Sequence, residues 1–450
     1  MSELQSYEDV INSVFCQHGL GDMARVDAGP ETAFQSSAHN VFRVLRNPRN
    51  VPSISKIVNL ADEIDEAFTG LRSGVIACRI DTKPLRVIVP RRKPQTPNII
   101  DKLRRYSADT RQRGGLHVML GEVVRDMCAP TLIADMTQST MPHMLIAGAT
   151  GSGKTYEMMN IVASLSALND PDDVEIVVVD PKAIDMDILN GLPGLRRPVV
   201  QDLDDCVEAL HETVREMERR KDRRMKNPRQ RYVLVVDEIA DLIATGGDAV
   251  VSAIERIVQV GRGYGVHFIG GTQKPTNEIF KSQVIKSNMP LRIVGMVQNK
   301  NDANVAAGTT DSGAERLSAS GSFVKVQAGG RVELVQAYRL DEAQIRALGG
   351  GAIPQYQYQP KAQPFRSENV NTASNIVSNT SIDAIEYQSD TSRKLEFDVN
   401  RQPTKDEARV IRALLRTHSK NAVIRQFWPT ASRNKCFAFI DAATGERMTA

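Results

Sequence analysis

The chain has 450 residues, 41% of them hydrophobic and 25% charged. That is the composition of a soluble globular protein of about three domains, and it excludes a mainly disordered, collagen-like or membrane-embedded chain. Lys and Arg number 57 against 54 Asp and Glu, a net charge of +3, so only local clustering of charge can speak for or against a polyanionic partner. The five cysteines (Cys16, Cys78, Cys128, Cys206, Cys436) lie far apart. They fit neither a disulfide framework nor a CxxC metal pattern and read as reduced thiols. No run approaches about 18 apolar residues, and the start MSELQSYEDV is polar and acidic rather than a secretory leader. The expected location is cytoplasmic, with no membrane partner.

Residues 1–27 open with Leu4, Tyr7, Val10, Ile11, Val14 and Phe15 at 3–4 spacing, which predicts an amphipathic packing helix. From 28 to 135 the texture changes to short Val/Ile-rich runs (VFRVL, GVIACRI, LRVIVP) around one helix-like stretch, ISKIVNLADEIDEAFTG. This predicts a small α+β domain. From 136 to 349 strand and helix alternate. HMLIAG, VEIVVVD, YVLVVDE, VHFIGGTQ and LRIVGMV read as buried strands. YEMMNIVASLSAL, DDCVEALHETVREMERRKDRR and AVVSAIERIVQVGRGYG read as helices. Near-continuous apolar strands separated by helices predict an α/β fold with a parallel sheet covered on both faces. GSFVKVQAGGRVELVQAYRL predicts a closing β-hairpin near Gly329-Gly330. Residues 350–400 are rich in Gln, Asn, Ser and Thr without apolar periodicity and predict a flexible linker. Residues 401–450 recover helical patterning.

The strongest chemical signal is GATGSGKT at 148–155, a GxxxxGK[ST] motif directly after an apolar strand and directly before a helix. Such a loop folds tightly at its glycines and turns successive N–H groups toward phosphate oxygens, with the positive end of the following helix behind them. Thr150, Gly151, Ser152, Gly153, Lys154, Thr155 and Tyr156 are the expected nucleotide-binding residues. Lys154 would reach the β- and γ-phosphates, and the Thr155 hydroxyl would ligate Mg²⁺. YVLVVDEIADL ends a second strand in Asp237-Glu238. Strand ends in such sheets face the ligand crevice. Asp237 is expected in the Mg²⁺ shell, and Glu238 as the base that polarises the attacking water. A third strand ends at Thr272-Gln273, where the Gln273 amide could sense the γ-phosphate. Arg262 and Arg292 are the candidates for a cation reaching a neighbouring subunit's phosphates, with Arg292 preferred because it begins a strand; the bland alternative for each is an ordinary surface arginine.

Basic charge concentrates twice. Between 215 and 231, nine residues are Lys or Arg and three acidic, which reads either as a solvated helix face or as a surface touching a polyanion. Residues 401–450 carry ten Lys or Arg against four Asp or Glu. Three short helices there, broken at Trp428-Pro429-Thr430, are patterned like a helix-turn-helix. Arg425, Arg433, Asn434 and Lys435 are the expected DNA contacts; the alternative is a helical adaptor that docks a protein.

Together, MPHMLIAGATGSGKT, VVVDPKAIDMDILNGLPGL, EMERRKDRR, YVLVVDEIADL, GVHFIGGTQKP and NMPLRIVG resemble the FtsK/SpoIIIE family of DNA translocases, in the FtsK–HerA branch of RecA-like motors. The upstream SISKIVNLADEID and LHVMLGEVV are similar to the family's β domain, so the likeness spans about 28–340. It implies a RecA-like P-loop motor behind a small α+β domain. It also implies ATP with Mg²⁺, and a ring, usually a hexamer, that pumps double-stranded DNA through its pore. The family's N-terminal membrane domain has no counterpart in these residues, which fits a motor from a plasmid, phage or other mobile element. A competing expectation is an ATPase that remodels or recruits a protein partner, such as a nuclease, recombinase, secretion or packaging machine.

Overall fold

The structure is a computed structural model that describes residues 2–349 apart from 70–77, 83, 96–97, 126, 184, 274–281, 318–319 and 328–330. The expected linker, the basic C-terminal helices and the hairpin tip near Gly329 lie outside the described residues.

Helix α1 (Glu3–Gln17) starts where the Ser2 side chain accepts the Gln5 N–H, and it buries Tyr7, Ile11, Val14 and Phe15 as the spacing predicts. Then follow β1 (Ala24–Arg25), β2 (Ala33–Gln35), β3 (His39–Arg43), β4 (Leu45–Arg46), α2 (Ile54–Val58), α3 (Ala61–Thr69), β5 (Arg79–Thr82) and β6 (Leu85–Pro90). The stretch read as one helix is thus two, α2 ending at Val58 with Asn59 as its C-cap. Strands β2, β3, β6 and β5 form an antiparallel sheet in that order. Phe42, Val87 and Val89 on one face pack with α1 and α3. Val41 and Ile88 on the other face join a cluster with residues of the larger sheet.

Helix α4 (Ile99–Arg113) was not expected. Its mean composition is polar, and only Ile99, Ile100, Leu103 and Thr110 are buried. The remaining elements are β7 (His117–Val123), β8 (Thr131–Asp135), β9 (Met144–Ala147), α5 (Lys154–Leu168), β10 (Val174–Val179), α6 (Leu203–Asp222), β11 (Arg231–Val236), α7 (Ile239–Val260), β12 (Val266–Thr272), α8 (Gln283–Asn288), β13 (Leu291–Val294), α9 (Lys300–Ala307), β14 (Ser322–Gln327), β15 (Arg331–Gln336) and α10 (Glu342–Ala347).

The large sheet runs β10-β11-β12-β9-β13-β14-β15-β7-β8. Pairing is parallel from β10 to β13 and antiparallel from β13 onward. The expected parallel core is therefore correct for the strands that carry the motifs, but the sheet as a whole is mixed. Strands β7 and β8, which were expected in the preceding α+β domain, extend this sheet beyond β15. The boundary expected at 135 therefore falls inside one sheet. Strand β7 is buried along its whole length. At its bulge, Gly121 has φ +121° and a Cβ there would overlap the Gln336 carbonyl; that close approach requires glycine.

Both faces of the parallel part are buried, which is why its strands read as unbroken apolar runs. Along β10, Ile176 and Val178 face the core under α4 and α5, and Val177 and Val179 face the core under α6 and α7. Helix α5 is buried nearly all round. Among the described residues no helix is long and apolar enough to cross a membrane.

At the edge where the parallel strands begin, two histidines are sealed in. His267 Nδ1–H donates to the Pro142 carbonyl at 2.9 Å, and His143 Nδ1 accepts the Phe268 N–H at 3.0 Å. Burial lowers the His267 pKa from 6.5 to about 4 and pushes His143 well below its ordinary value. A histidine depressed by folding adds stability that is fully present above about 6.5 and is lost as the pH falls toward about 4. His267→Gln keeps a donor for Pro142 and removes the titration. The urea-midpoint difference between wild type and this variant should therefore shrink in favour of the variant from pH 7.5 to 5; a difference that does not move with pH refutes this account.

Candidate active site

Parallel register brings four strand exits to one rim. Thr272 pairs with Ala147, Val236 with Gly270 and Val179 with Val236. The segments leaving β9, β10, β11 and β12 are thus the GATGSGKT loop, Asp180-Pro181-Lys182, Asp237-Glu238 and Gln273.

The loop is braced from within. Gly148 N–H donates to the Thr272 carbonyl at 3.2 Å, Ala149 N–H to Met296 at 2.8 Å and Ser152 N–H to Ala149 at 3.0 Å. The Gly321 N–H returns to the Ser152 carbonyl at 2.9 Å. Gly153 takes φ +91° at the N-cap of α5, and a Cβ there would lie 2.8 Å from the Gly321 nitrogen. No side chain caps α5, so its first-turn N–H groups are offered outward, as an anion site requires. The Ser152 hydroxyl is buried and has no hydrogen-bond partner among the described residues. Thr150 and Gly151 are exposed, Thr155 is half-buried, and Tyr156 stands 55% exposed.

Lys154 Nζ donates at 2.6 Å to the Asp237 carboxylate and at 2.6 Å to the Asp237 carbonyl. The two side chains are 3% and 4% exposed. Two charges so deeply buried are tolerable only because each satisfies the other. A triphosphate in the loop offers Lys154 anionic oxygens in exchange, and leaves Asp237 a free oxygen. The Thr155 hydroxyl and the Asp237 carboxylate are hard oxygen donors of the kind Mg²⁺ takes together with substrate phosphates; with the uncapped helix start and the unpartnered Ser152 hydroxyl, these residues fit a Mg²⁺–nucleotide.

Glu238, 4% exposed, accepts from Lys182 Nζ at 3.2 Å and from the Gln273 N–H at 3.1 and 3.3 Å. The Gln273 side chain in turn takes the Thr150 hydroxyl at 3.4 Å. One residue therefore touches both the phosphate loop and Glu238. Lys182 is the site residue that sequence reasoning left without a role. Its signal was present in the Asp-Pro-Lys element after β10, but nothing in the sequence shows that its ammonium reaches Glu238, 56 residues away.

The two arginines separate. Arg292 is 7% exposed, and its guanidinium donates to the carbonyls of Lys286, Met289, Val305 and Ala306. It ties α8 and α9 to β13 and is not offered at a surface, so the preference for Arg292 as the cation given to a neighbour does not hold. Arg262 is exposed in the turn before β12. The site lies at the far end of that strand, about 20 Å away at 3.3 Å per residue, so Arg262 cannot serve its own loop.

The basic run between 215 and 231 is largely committed inside the chain. Arg220 is 1% exposed and binds Glu216 and the carbonyls of Gln230, Tyr264 and Gly265. Arg219 pairs with Glu216, Lys221 with Glu218 and Arg229 with Asp173. Arg223, Arg224 and Lys226 are exposed. Arg425, Arg433, Asn434 and Lys435 lie outside the described residues.

The FtsK/SpoIIIE family profile matches residues 107–231. This chain carries an FtsK/SpoIIIE-family domain. It is 30% identical over 345 residues to the DNA translocase FtsK of Sporosarcina ureae, covering 70% of this chain and 43% of that protein. It is 28% identical over 358 residues to the DNA translocase SpoIIIE of Bacillus subtilis, covering 74% and 44%. The chain thus spans less than half the length of the curated relatives it matches. Among solved structures, the pCW3 conjugation coupling protein TcpA superposes with a TM-score of 0.46 at 15% identity, over 76% of this chain and 98% of that one. The cytoplasmic domain of the Thermomonospora curvata type VII secretion ATPase EccC does so at 0.44 and 23%, over 54% and 32%.

Arg292→Lys, which keeps the charge but not the planar fork, should lower unfolding free energy by about 1–3 kcal/mol through lost carbonyl contacts. Denaturant titration and turnover at saturating nucleotide check this. Unchanged stability with lost turnover would return Arg292 to the catalytic role.

Proposed function

We propose that this protein is an ATP-driven translocase of double-stranded DNA that works as a ring-shaped oligomer, most simply a hexamer. The observation that carries the reading is the Lys154–Asp237 pair at the mouth of the phosphate loop, with Glu238 beside it. The likeness to named DNA translocases over some three-quarters of the chain supplies the substrate class.

In this reading the ATP phosphates lie on the loop amides from Thr150 to Tyr156, and Lys154 leaves Asp237 for the β- and γ-phosphates. Thr155 and Asp237 would hold Mg²⁺, which would supply neutralisation of charge on the phosphate oxygens. Glu238 accepts a proton from the attacking water as the new oxygen–phosphorus bond forms and the bond to the β-phosphate oxygen breaks. Gln273 reports loss of the γ-phosphate through Thr150 and Glu238. Arg262 stabilises a neighbouring subunit's leaving phosphates. The basic segment 401–450, with Arg425, Arg433, Asn434 and Lys435, loads or orients the motor on the duplex.

Lys154→Ala should abolish nucleotide binding, whereas Glu238→Gln should bind ATP and lose at least about a hundredfold in turnover, the usual worth of a positioned base. Equilibrium binding of a fluorescent nucleotide and phosphate release distinguish the two. Wild-type turnover in Lys154→Ala refutes the site.

Linear duplex should raise wild-type turnover, and the DNA concentration for half-maximal effect should climb steeply from 50 to 200 mM salt, as phosphate contacts demand. A rate indifferent to DNA instead favours an ATPase that acts on a protein partner.

A further inference from the structure

One charged side chain at the rim takes no part in the hydrolysis just described. Lys182 follows β10, and its own N–H donates to Asp180 Oδ1 at 3.2 Å. The next residue, Ala183, has φ +53°, a left-handed conformation that costs a non-glycine residue about 1–2 kcal/mol. The Lys182 ammonium lies 3.2 Å from Glu238 Oε2. With the Gln273 N–H at 3.1 and 3.3 Å, both Glu238 oxygens have donors. A carboxylate that polarises water needs an oxygen free to accept from that water. Here the strongest competitor is a charged donor.

The two partners are exposed very differently. Glu238 is 4% exposed and Lys182 27%. Among the described residues the other lysine at the rim is Lys154, 3% exposed and out of reach. Of the two, Lys182 is the one a polyanion approaching this edge can reach. If the ammonium swings away, Glu238 still accepts the Gln273 N–H at both oxygens, so its buried charge keeps a donor. An ammonium on a flexible four-carbon stem can turn to a phosphate without moving the backbone.

We propose that Lys182 is a positioning residue that latches Glu238 away from the attacking water, and that a phosphate of the DNA backbone releases the latch by taking the ammonium. This inference rests on the ATPase reading above and deepens it, since it couples hydrolysis to the presence of DNA through one named contact.

The test uses the full chain with and without linear duplex. It measures kcat, KM and the affinity for a non-hydrolysable ATP analogue in wild type, Lys182→Met and Lys182→Arg. Lys182→Met should raise DNA-free kcat about tenfold, the size of one charge-assisted hydrogen bond, while KM and analogue affinity stay put. Added DNA should then stimulate it little. Lys182→Arg should restore a low DNA-free rate, which a merely structural lysine would not explain. Should the methionine variant fail to bind the analogue, Lys182→Gln replaces it with the same expectation. A DNA-free kcat that is unchanged or lower in an analogue-binding variant overturns the latch. A raised DNA-free rate with the wild-type stimulation ratio overturns release by phosphate. Failure of the ATPase reading itself looks different: wild type would release no phosphate with Mg²⁺ and ATP, with or without DNA.

Discussion

The site depends first on the register of parallel strands. Four exits meet at one rim only because β10, β11, β12 and β9 run the same way and are paired nearly end to end. A slip of one residue would turn every apolar side chain of these strands to the opposite face. Since both faces are buried, such a slip would not expose polar groups, and sequence alternation does not forbid it. Packing does, because Gly270 and Gly271 leave room for Ile239 and for the Asp237 carbonyl, and a Cβ at either would collide with them. These small residues let the acidic strand sit close beside the one that ends at Gln273. The chemistry at the rim is fixed by packing well below it.

A second constraint is the management of charge where water is scarce. Lys154 and Asp237, Lys325 and Glu333, and Arg220 and Glu216 are ion pairs with at least one member nearly sealed from solvent. Arg292 is compensated instead by carbonyl dipoles at the ends of α8 and α9. Removing one member of such a pair strands the other, so these residues are structurally expensive to change. Lys182–Glu238 differs in that its sealed member, Glu238, also accepts the Gln273 N–H at both oxygens while Lys182 is partly open to solvent. Among the rim's ion pairs it is the one whose rearrangement costs the fold least, which suits a contact that must open and close.

Much of this was legible in the sequence because it is local. The phosphate loop needs consecutive residues, and a glycine run between an apolar strand and a helix leaves little freedom. The parallel strands announced themselves as unbroken Val and Ile runs, and the acidic pair by its place at a strand end. Non-local features were not legible. Strands β7 and β8 look like any short β-rich segment, and only the pairing of β7 with β15, Val123 opposite Val335, places them in the large sheet. Arg292 and Arg220 are indistinguishable in sequence from surface arginines, because what buries them are carbonyls contributed from 3 to 45 residues away. The same holds for Lys182. A motif shows that a lysine is present but not which carboxylate it touches.

The phosphate loop is also continuous with the N-terminal part of the chain. The segment from Met296 to Gly321 holds the loop at both ends, through the Ala149 N–H to the Met296 carbonyl and the Gly321 N–H to the Ser152 carbonyl. Its middle is held by the N-terminal part. Arg79 donates to the Ser312 carbonyl at 2.7 Å, and Arg316 pairs with Asp62 at 2.6 Å. Val41 and Ile88 share one apolar cluster with Ala147, Val294, Ala314 and Leu317. Close-packed interiors transmit displacement rather than absorb it. A shift of Ala149 or Ser152 on engaging phosphate would thus load a segment whose other anchors lie on β5 and α3. The small antiparallel sheet and the phosphate loop are thus anchored to one and the same segment.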